Sequence, residues 1–277
     1  MQYGKTIEMF LVNGDASGLV TAELSNWNGK AIKIPRTMVK ECTREDITGV
    51  GVYFLFCEED GQGAVYIGEA ENVLERLNGH LRDYQAGKES YYWTTAVVFI
   101  GRDLNKALIR YLENRIWDIV NECGRMKNLT KNTYKKTILK ESQVASMEEF
   151  IDNIKVLLSA LNYRVLTPMP QAKDDTVYLY CHSTKGTDAK GFVSDSGFTV
   201  LKGSKVSDGV VNSFVEHGGN YYALRSKLEE DGIISEGEFQ QDYEFSAPSA
   251  ASAVALGRTS NGNVDWKTKE GTKLKDL

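Results

Sequence analysis

The sequence predicts an α+β protein in which a small antiparallel sheet is flanked by helices. Two β-rich runs, GVYFLF at 51–56 and AVYIG at 64–68, flank an acidic, glycine-bearing turn, which is typical of a β-hairpin. The segment AENVLERLNGHLRDY follows, with apolar residues at 73, 74, 77, 81 and 84, which is a helical period. Short strands before this region and a mixed pattern after it extend the same class to the whole chain.

Residues 1–45 are predicted to form a β-rich segment. The runs TIEMFLV and LVTAELSNW flank the turn NGDASG, and the run KAIKIP follows the turn NWNG. This segment leads through REDITGV into the hairpin.

Residues 46–165 are predicted to form the central domain. After the hairpin and its helix come a buried strand, WTTAVVFIG, and a long helix, DLNKALIRYLENRIWDIVNE, for which Asp103 is the expected N-cap. A lysine-rich loop separates that helix from a last one, SMEEFIDNIKVLLSALNY. Ser146 is the expected cap there, with Glu149 completing a capping box.

A linker is predicted at 166–176, which holds two of the four prolines of the chain. Residues 177–277 then read as a small α+β domain. Its expected elements are the strands TVYLYCH, KGFVSD and GFTVLKGS, the helices around NYYALRSKLEEDGII and SAPSAASAVALG, and a strand NVDWK. Small residues at 247–253 would let the second helix pack closely, and Trp266 is expected to cover it.

The composition narrows the class of protein. The chain has 277 residues and a formal net charge of −5, so nucleic-acid binding would need a local basic patch. The beginning of the chain does not read as a signal peptide, and no run approaches the ~18 apolar residues of a membrane span. The four cysteines are widely spaced without metal-binding patterns, which favours reduced thiols in the cytoplasm. His182 and His217 have no metal or triad spacing and are expected to be structural or exposed.

One basic patch is present between positions 125 and 140, where no acidic residue interrupts the cations. Two interpretations stay open, a solvated loop and a surface that contacts backbone phosphates. The residues predicted to bind nucleic acid here are Arg125, Lys127, Asn128, Lys131, Lys135 and Lys136. The cluster Tyr91, Tyr92 and Trp93 could stack on bases, although its position before a strand favours the core.

A second group of residues has the chemistry that phosphodiester cleavage needs. If the hairpin is registered about its turn, Tyr53 and Tyr66 lie on one face, and Arg76 and His80 share a face of the next helix. A phenol beside a cation can act as a base, and a guanidinium matches phosphate oxygens. Glu113 in the long helix can hold Mg²⁺, unless it pairs with Arg110.

These residues resemble the GIY-YIG nuclease superfamily. GVY at 51–53, YIG at 66–68, an arginine ten residues after the second tyrosine, a buried strand and the glutamate helix YLENRIW cover roughly residues 48–135. Val52 stands in place of the usual isoleucine. The resemblance implies an endonuclease that cuts DNA with Mg²⁺ or Mn²⁺, with a role in restriction or phage defence.

The resemblance also implies roles for single residues. Tyr53 would be the general base, Tyr66 would position water or phosphate, and Arg76 would be the essential arginine. His80 matches a histidine of many members, and Glu113 would bind the metal. An asparagine after the glutamate helix is also expected, either Asn128 or Asn132, and Asn132 is favoured.

Two further alternatives concern the whole chain. A non-catalytic or partner-dependent DNA-binding protein could reuse this fold, and the tyrosines could be purely structural. The C-terminal segment resembles an uncharacterised domain often fused to these nucleases. It could recognise a protein partner or modified DNA, and no membrane partner is expected.

Overall fold

The computed structural model describes residues 3–59, 62–131 and 137–277 and confirms the α+β class. The chain divides into two compact units, Met1–Pro168 and Met169–Leu277. We call them the first unit and the second unit. No helix within the described ranges has the length and apolar character of a membrane span.

The first unit is built on one seven-stranded sheet. Its strands are β1 (Ile7–Leu11), β2 (Val20–Leu24), β3 (Gly29–Pro35), β4 (Gly51–Glu59), β5 (Gln62–Ala70), β6 (Trp93–Gly101) and β7 (Lys127–Asn128). They lie in the order β1-β2-β3-β6-β4-β5-β7. All neighbours are antiparallel except β5 and β7, which are parallel. The N-terminal strands therefore belong to the same sheet as the hairpin β4–β5.

Helices cover both faces of this sheet. They are α1 (Arg36–Val39), α2 (Val73–Gln85), α3 (Lys106–Cys123) and α4 (Glu141–Ala160), with a 3-10 turn at Glu45–Thr48. Because successive strand residues point to opposite faces, β4 contributes to two cores. Phe54 and Phe56 pack with α3 and α4, whereas Tyr53 and Leu55 pack with α2. The central strand is thus buried on both sides.

Two helix starts differ from the sequence predictions. Helix α3 is capped by Asn105, whose side chain accepts hydrogen bonds from the N–H groups of Ala107 and Leu108 at 3.0 and 3.2 Å. The predicted cap, Asp103, instead accepts from Asn28. Asparagine and aspartate are equally good N-caps, so local preference does not select between Asn105 and Asp103. Asp103 is used by the distant residue Asn28, and Asn105 caps the helix.

Helix α4 begins earlier than predicted, so Ser146 is not its cap. The helix starts after Lys140, whose backbone N–H donates to the Gln143 side chain at 3.2 Å. The Ser146 hydroxyl lies inside the helix and donates to the carbonyl of Ser142 at 3.0 Å. A serine can bond the preceding turn in this way, so a capping-box spacing alone was not sufficient.

The second unit has a smaller sheet with its own core. Its strands are β8 (Leu179–His182), β9 (Asp188–Ser194), β10 (Gly197–Val200), β11 (Ile234–Ser235), β12 (Glu238–Phe239) and β13 (Tyr243–Phe245). Its helices are α5 (Asn212–His217), α6 (Asn220–Glu230), α7 (Pro248–Leu256) and α8 (Gly262–Asp265), followed by a 3-10 turn at Leu274–Asp276. The four-stranded sheet has the order β13-β10-β9-β8, and β11 and β12 form a separate pair.

Helix α7 is the centre of this second core. Its alanines are buried, and Trp266 covers it as predicted, with the indole N–H donating to the carbonyl of Pro248 at 3.0 Å. The predicted strand NVDWK is wrong for its first residues, because Gly262–Asp265 forms α8. Asn261 caps that helix by accepting from the N–H of Asn263 at 3.1 Å, so its side chain starts a short helix where the strand was expected to begin.

Candidate functional site

The two tyrosines of the hairpin lie on the same face of the sheet. In the β4–β5 ladder Tyr53 is opposite Gly68, and Leu55 is opposite Tyr66. Residues 53 and 55 share a face, so Tyr66 points to the same side as Tyr53. The two rings are stacked with centroids 6.3 Å apart, and the predicted common face is confirmed.

Gly68 makes room for the phenol of Tyr53. A Cβ atom at this position would lie 2.3 Å from the Tyr53 hydroxyl oxygen, which no side chain tolerates. The glycine therefore lets the phenol cross its partner strand and reach the edge of β5. This is a steric requirement, independent of any special backbone conformation.

Helix α2 brings Arg76 and His80 to these phenols. The helix starts at Asn72, whose side chain accepts from the N–H of Glu75, and this places positions 76 and 80 one turn apart on the inner face. The Tyr53 Oη and His80 Nε2 atoms are 2.9 Å apart. Arg76 lies close enough to both phenols for its charge to oppose the rise in their pKa.

Burial makes both tyrosines weak acids in the resting site. Burial raises the pKa of Tyr53 well above its ordinary value and Tyr66 raises it further, while Arg76 acts in the opposite direction. The pKa of Tyr66 is likewise raised by burial and opposed by Arg76. Tyr53 is only 1% exposed, whereas Tyr66 and Arg76 are partly exposed and form the accessible rim of the site.

His80 is neutral and has a defined tautomer. Burial, followed by the charges of Arg76 and Arg36, lowers the pKa of His80 to about 3. Its Nδ1 lies 2.6 Å from Glu89 Oε1, an acceptor, so the ring proton is on Nδ1. The Nε2 lone pair is then free to accept the hydrogen bond of the Tyr53 hydroxyl.

Glu113 approaches the same strand edge from the opposite face of the sheet. It is 6% exposed on α3, and the backbone N–H of Glu69 on β5 is near enough to act on the pKa of its carboxyl, which it lowers. Strand β7 pairs with Ala64 and Val65 of β5, and within the described residues no strand pairs with this side of β5 beyond them. Arg110, the alternative partner expected for Glu113, forms an ion pair with Glu69 at 3.8 Å.

The carboxyl of Glu113 is suited to a cation. Burial, followed by the charge of Glu69, raises its pKa to about 7. Its Oε2 atom is buried and has no hydrogen-bond partner in the part of the chain that the structure describes. A buried oxygen without a donor is costly, and a hard divalent cation would satisfy it. The surroundings of Glu113 therefore fit the predicted role of a metal ligand.

Other described residues do not extend this into a multi-ligand metal centre. Among them, no three His, Cys, Asp or Glu side chains come together as a metal-binding group. The charge of Glu113 nevertheless raises the pKa of both Tyr53 and Tyr66, so the two sides of the site interact electrostatically. A cleft of about 450 Å³ lies beside them, lined by residues that include Glu69, Arg76, Arg82 and Lys106.

Four residues of the predicted basic patch, Arg125, Lys127, Asn128 and Lys131, lie within the described ranges. Arg125 donates to the carbonyls of Thr167 and Pro168, at 2.7 and 3.1 Å, and thus binds the last residues of the first unit. Lys127 and Lys131 are exposed. The positions Asn132, Lys135 and Lys136 lie outside the described residues.

The side chain of Asn128, the other candidate asparagine, forms hydrogen bonds with neighbouring residues. Its amide nitrogen donates to Asn121, and its Oδ1 accepts from the N–H of Thr130. The Thr130 hydroxyl in turn bonds both the N–H and the carbonyl of Ile67, at 2.6 and 2.9 Å. Asn128 therefore shapes the loop that closes part of the β5 edge.

Sequence reasoning missed Glu89 and Arg36. Glu89 follows α2 in a loop, and Arg36 begins α1, so neither shares a local pattern with Tyr53. The three residues of the neighbouring aromatic cluster, Tyr91, Tyr92 and Trp93, differ in burial and contacts. Trp93 is fully buried as expected for the core, Tyr91 stacks on Tyr66 with centroids 5.7 Å apart, and Tyr92 is 51% exposed.

Comparison with known families gives one result. Residues 179–277 match a family described as a domain of unknown function, DUF4357. This range lies within the second unit and includes β8 to the end of the chain. Searches of curated proteins and of solved structures give no match.

Proposed function

We propose that the first unit is a metal-dependent endonuclease of the GIY-YIG type that hydrolyses phosphodiester bonds in DNA. The observation that supports this most is the convergence of Tyr53, His80 and Arg76 at the β5 edge, where Glu113 arrives from the other face. A base, a cation for phosphate and a carboxylate for a metal are the parts this chemistry requires. The remaining helices and strands position them.

In the proposed reaction, Arg76 binds a phosphate oxygen and Tyr66 orients the phosphate and the attacking water at the accessible rim. Tyr53 takes a proton from that water and passes its own proton to His80 Nε2. The water oxygen forms a bond to phosphorus as the bond to the 3′ oxygen breaks, and the leaving oxygen takes a proton from solvent. The product carries a 5′-phosphate.

Glu113 would hold Mg²⁺ or Mn²⁺, which when bound supplies positive charge to the developing pentavalent phosphate. The chain itself prepares this position by burying Glu113 beside Glu69. Lys106 and Arg110 offset the resulting negative charge, with Lys106 Nζ 2.9 Å from Glu69 Oε2. Their presence keeps two neighbouring carboxyl groups compatible with a folded protein.

The test is cleavage of a panel with Mg²⁺ or Mn²⁺ by the wild type and Glu113→Ala in parallel. The panel contains single- and double-stranded DNA, methylated and hydroxymethylated DNA, and structured RNA. We expect the wild type to cut DNA and the variant to be inactive while keeping its circular dichroism spectrum. Equal cutting by both proteins contradicts the proposal, as does cutting of RNA alone.

One observation favours a second candidate, a DNA-binding protein that does not cleave. Tyr53 is 1% exposed and His80 is fully buried, as expected for purely structural residues. For this candidate, DNA binding without cleavage is expected, and Tyr53→Phe should change stability rather than activity. The same panel, read by gel shift, distinguishes the two candidates.

The second unit is proposed to select the target or a partner. Its match to a domain of unknown function and its separate core support a distinct role. A chain that ends at residue 168 should then cleave with altered preference among plain and modified DNA. Identical preference would contradict recognition of DNA by the second unit.

A role of the whole chain in restriction or phage defence is tested by plating phage on cells that express the wild type or Glu113→Ala.

A further inference from the structure

A row of buried polar groups extends behind Tyr53, away from the cleft. The Tyr53 hydroxyl lies 2.9 Å from His80 Nε2, and His80 Nδ1 lies 2.6 Å from Glu89 Oε1. The His80 ring is completely buried, and the Glu89 side chain is 15% exposed. The row therefore has the order phenol, imidazole, carboxylate, with each link at hydrogen-bond distance.

Arg36 stands beside the far end of this row. Its guanidinium lies 4.8, 4.5 and 4.6 Å from the ring centroids of Tyr84, Tyr92 and Trp93. Three aromatic faces hold the cation in one place. Its charge contributes to lowering the pKa of His80 and opposes the effect of burial on the pKa of Glu89. Arg36 thus favours a neutral imidazole beside an ionised carboxylate.

We propose that Glu89 is a positioning residue that orients His80 for proton transfer from Tyr53. This inference rests on the proposed function, since it concerns the base of the same reaction. The carboxylate holds the proton on Nδ1, so Nε2 presents its lone pair to the phenol. When His80 receives the proton of Tyr53, it becomes an imidazolium. The Glu89 carboxylate on one side and the Tyr53 oxygen on the other then stabilise its positive charge.

Two features distinguish this arrangement from ordinary core packing. An imidazole and a carboxylate buried together cost more than apolar side chains of the same size. In addition, Glu89 Oε2 is buried and has no hydrogen-bond partner in the described part of the chain. The position of this carboxyl therefore leaves one of its two oxygens without a hydrogen bond. The carboxyl is placed to hold Nδ1 of His80.

The proton transfers balance without any reactant other than water and the DNA. One proton moves from water to Tyr53 and one from Tyr53 to His80 Nε2, while the 3′ oxygen gains one from solvent. The imidazolium then releases its proton to solvent and the resting tautomer is restored. The titratable and charged groups that face His80 and Glu89 from the surrounding elements are Arg36, Tyr53, Tyr66, Arg76, Asp83 and Tyr91.

The experiment compares the full-length wild type with Glu89→Gln and Glu89→Ala. Glu41→Gln, an exposed carboxyl distant from this row in the sequence, is the matched control. Cleavage gives kcat and KM for each protein across a range of pH. Nitrogen-15 spectra of labelled histidine give the His80 tautomer in the absence of DNA, and the three histidines of the chain keep these spectra simple.

We expect Glu89→Gln to keep the Nδ1–H tautomer, because its amide oxygen still accepts, but to lower kcat about 100-fold with KM unchanged. Glu89→Ala should also lose the fixed tautomer. Wild-type kcat in Glu89→Gln, or a wild-type His80 spectrum in Glu89→Ala, would overturn the inference. If the wild type itself cleaves nothing, the proposed function fails, and the spectrum of Glu89→Ala still decides whether Glu89 positions His80.

Discussion

Two arginines, one in each unit, show how differently the same side chain is used. In the second unit Arg225 is 4% exposed, and its nitrogens donate to Glu229, to the Ser207 hydroxyl and carbonyl, and to the Val254 carbonyl. In the first unit Arg76 is partly exposed, contacts two phenols, and has its nearest ion-pair carboxylate, Asp83, at 3.9 Å.

The difference separates a structural cation from a cation suited to a ligand. The donors of Arg225 are used by carbonyl groups that would otherwise be buried without partners, so its role is to hold α6, the loop at Ser207 and α7 together. The donors of Arg76 face weakly acidic phenols at the rim of a cleft, where a phosphate would compete well for them.

Arg76→Ala should lower cleavage about 1000-fold, because a positioned donor to the developing phosphate charge is lost. The fold should persist, since the guanidinium is partly exposed. Steady-state cleavage of the best DNA of the panel measures the effect. Arg102→Ala, which removes an exposed arginine elsewhere in the first unit, is the control and should be near wild type. A comparable loss in both variants would contradict a specific role.

Arg225→Ala should cost the second unit about 3 kcal/mol, since two carbonyl groups and a serine hydroxyl lose their donor in a buried place. Differential scanning calorimetry of the full chain measures the shift. Arg258→Ala is the matched control, because Arg258 is 45% exposed and its pair with Asp265 should contribute under about 1 kcal/mol. Equal shifts for the two variants would remove the contrast between buried and exposed arginines.

Gly68→Ala should displace the Tyr53 phenol, because the added Cβ would lie 2.3 Å from its hydroxyl oxygen. We expect a loss of about 1–3 kcal/mol in stability, with a fall in cleavage beyond what the unfolded fraction explains. Gly49→Ala, where a Cβ meets no atom within 4 Å, is the control. Urea denaturation and cleavage measure the two effects, and an unchanged Gly68→Ala protein would contradict this packing.

Glu113→Gln should change stability in a pH-dependent way. The folded pKa of about 7 is above the ordinary value of 4.5, so the folded state binds the proton more tightly. Wild-type stability should therefore fall as pH rises from about 4.5 to 7, and the neutral variant should avoid that loss. We expect the variant to be about 1 kcal/mol more stable at pH 8 and equal at pH 4.5, after discounting for solvent screening.

Urea midpoints with EDTA measure this difference by tryptophan fluorescence, since three of the four tryptophans lie in the first unit. A variant that is less stable at both pH values would show that the carboxyl of Glu113 is satisfied in the resting protein. Asp118→Asn, which removes another carboxyl from the same helix, is the matched control.

The features that depend on short separations along the chain could be predicted from the sequence. Alternation along β4 and β5 placed both tyrosines on one face, and the helical repeat placed Arg76 beside His80. The close packing of α7 under Trp266 also followed from small residues and a nearby turn. These features follow from periods of two and 3.6 residues, which local backbone geometry imposes.

Contacts between polar groups that are far apart in the sequence could be seen only in the folded protein. Glu89 reaches His80 because its loop folds back along α2, and Glu113 reaches the β5 edge because β7 ends early. Arg125, which seemed suited to phosphate, is instead bonded to carbonyl groups 42 and 43 residues further along the chain. A charged side chain carries no local mark of its partner, because burial and hydrogen bonding are settled only when distant segments pack together.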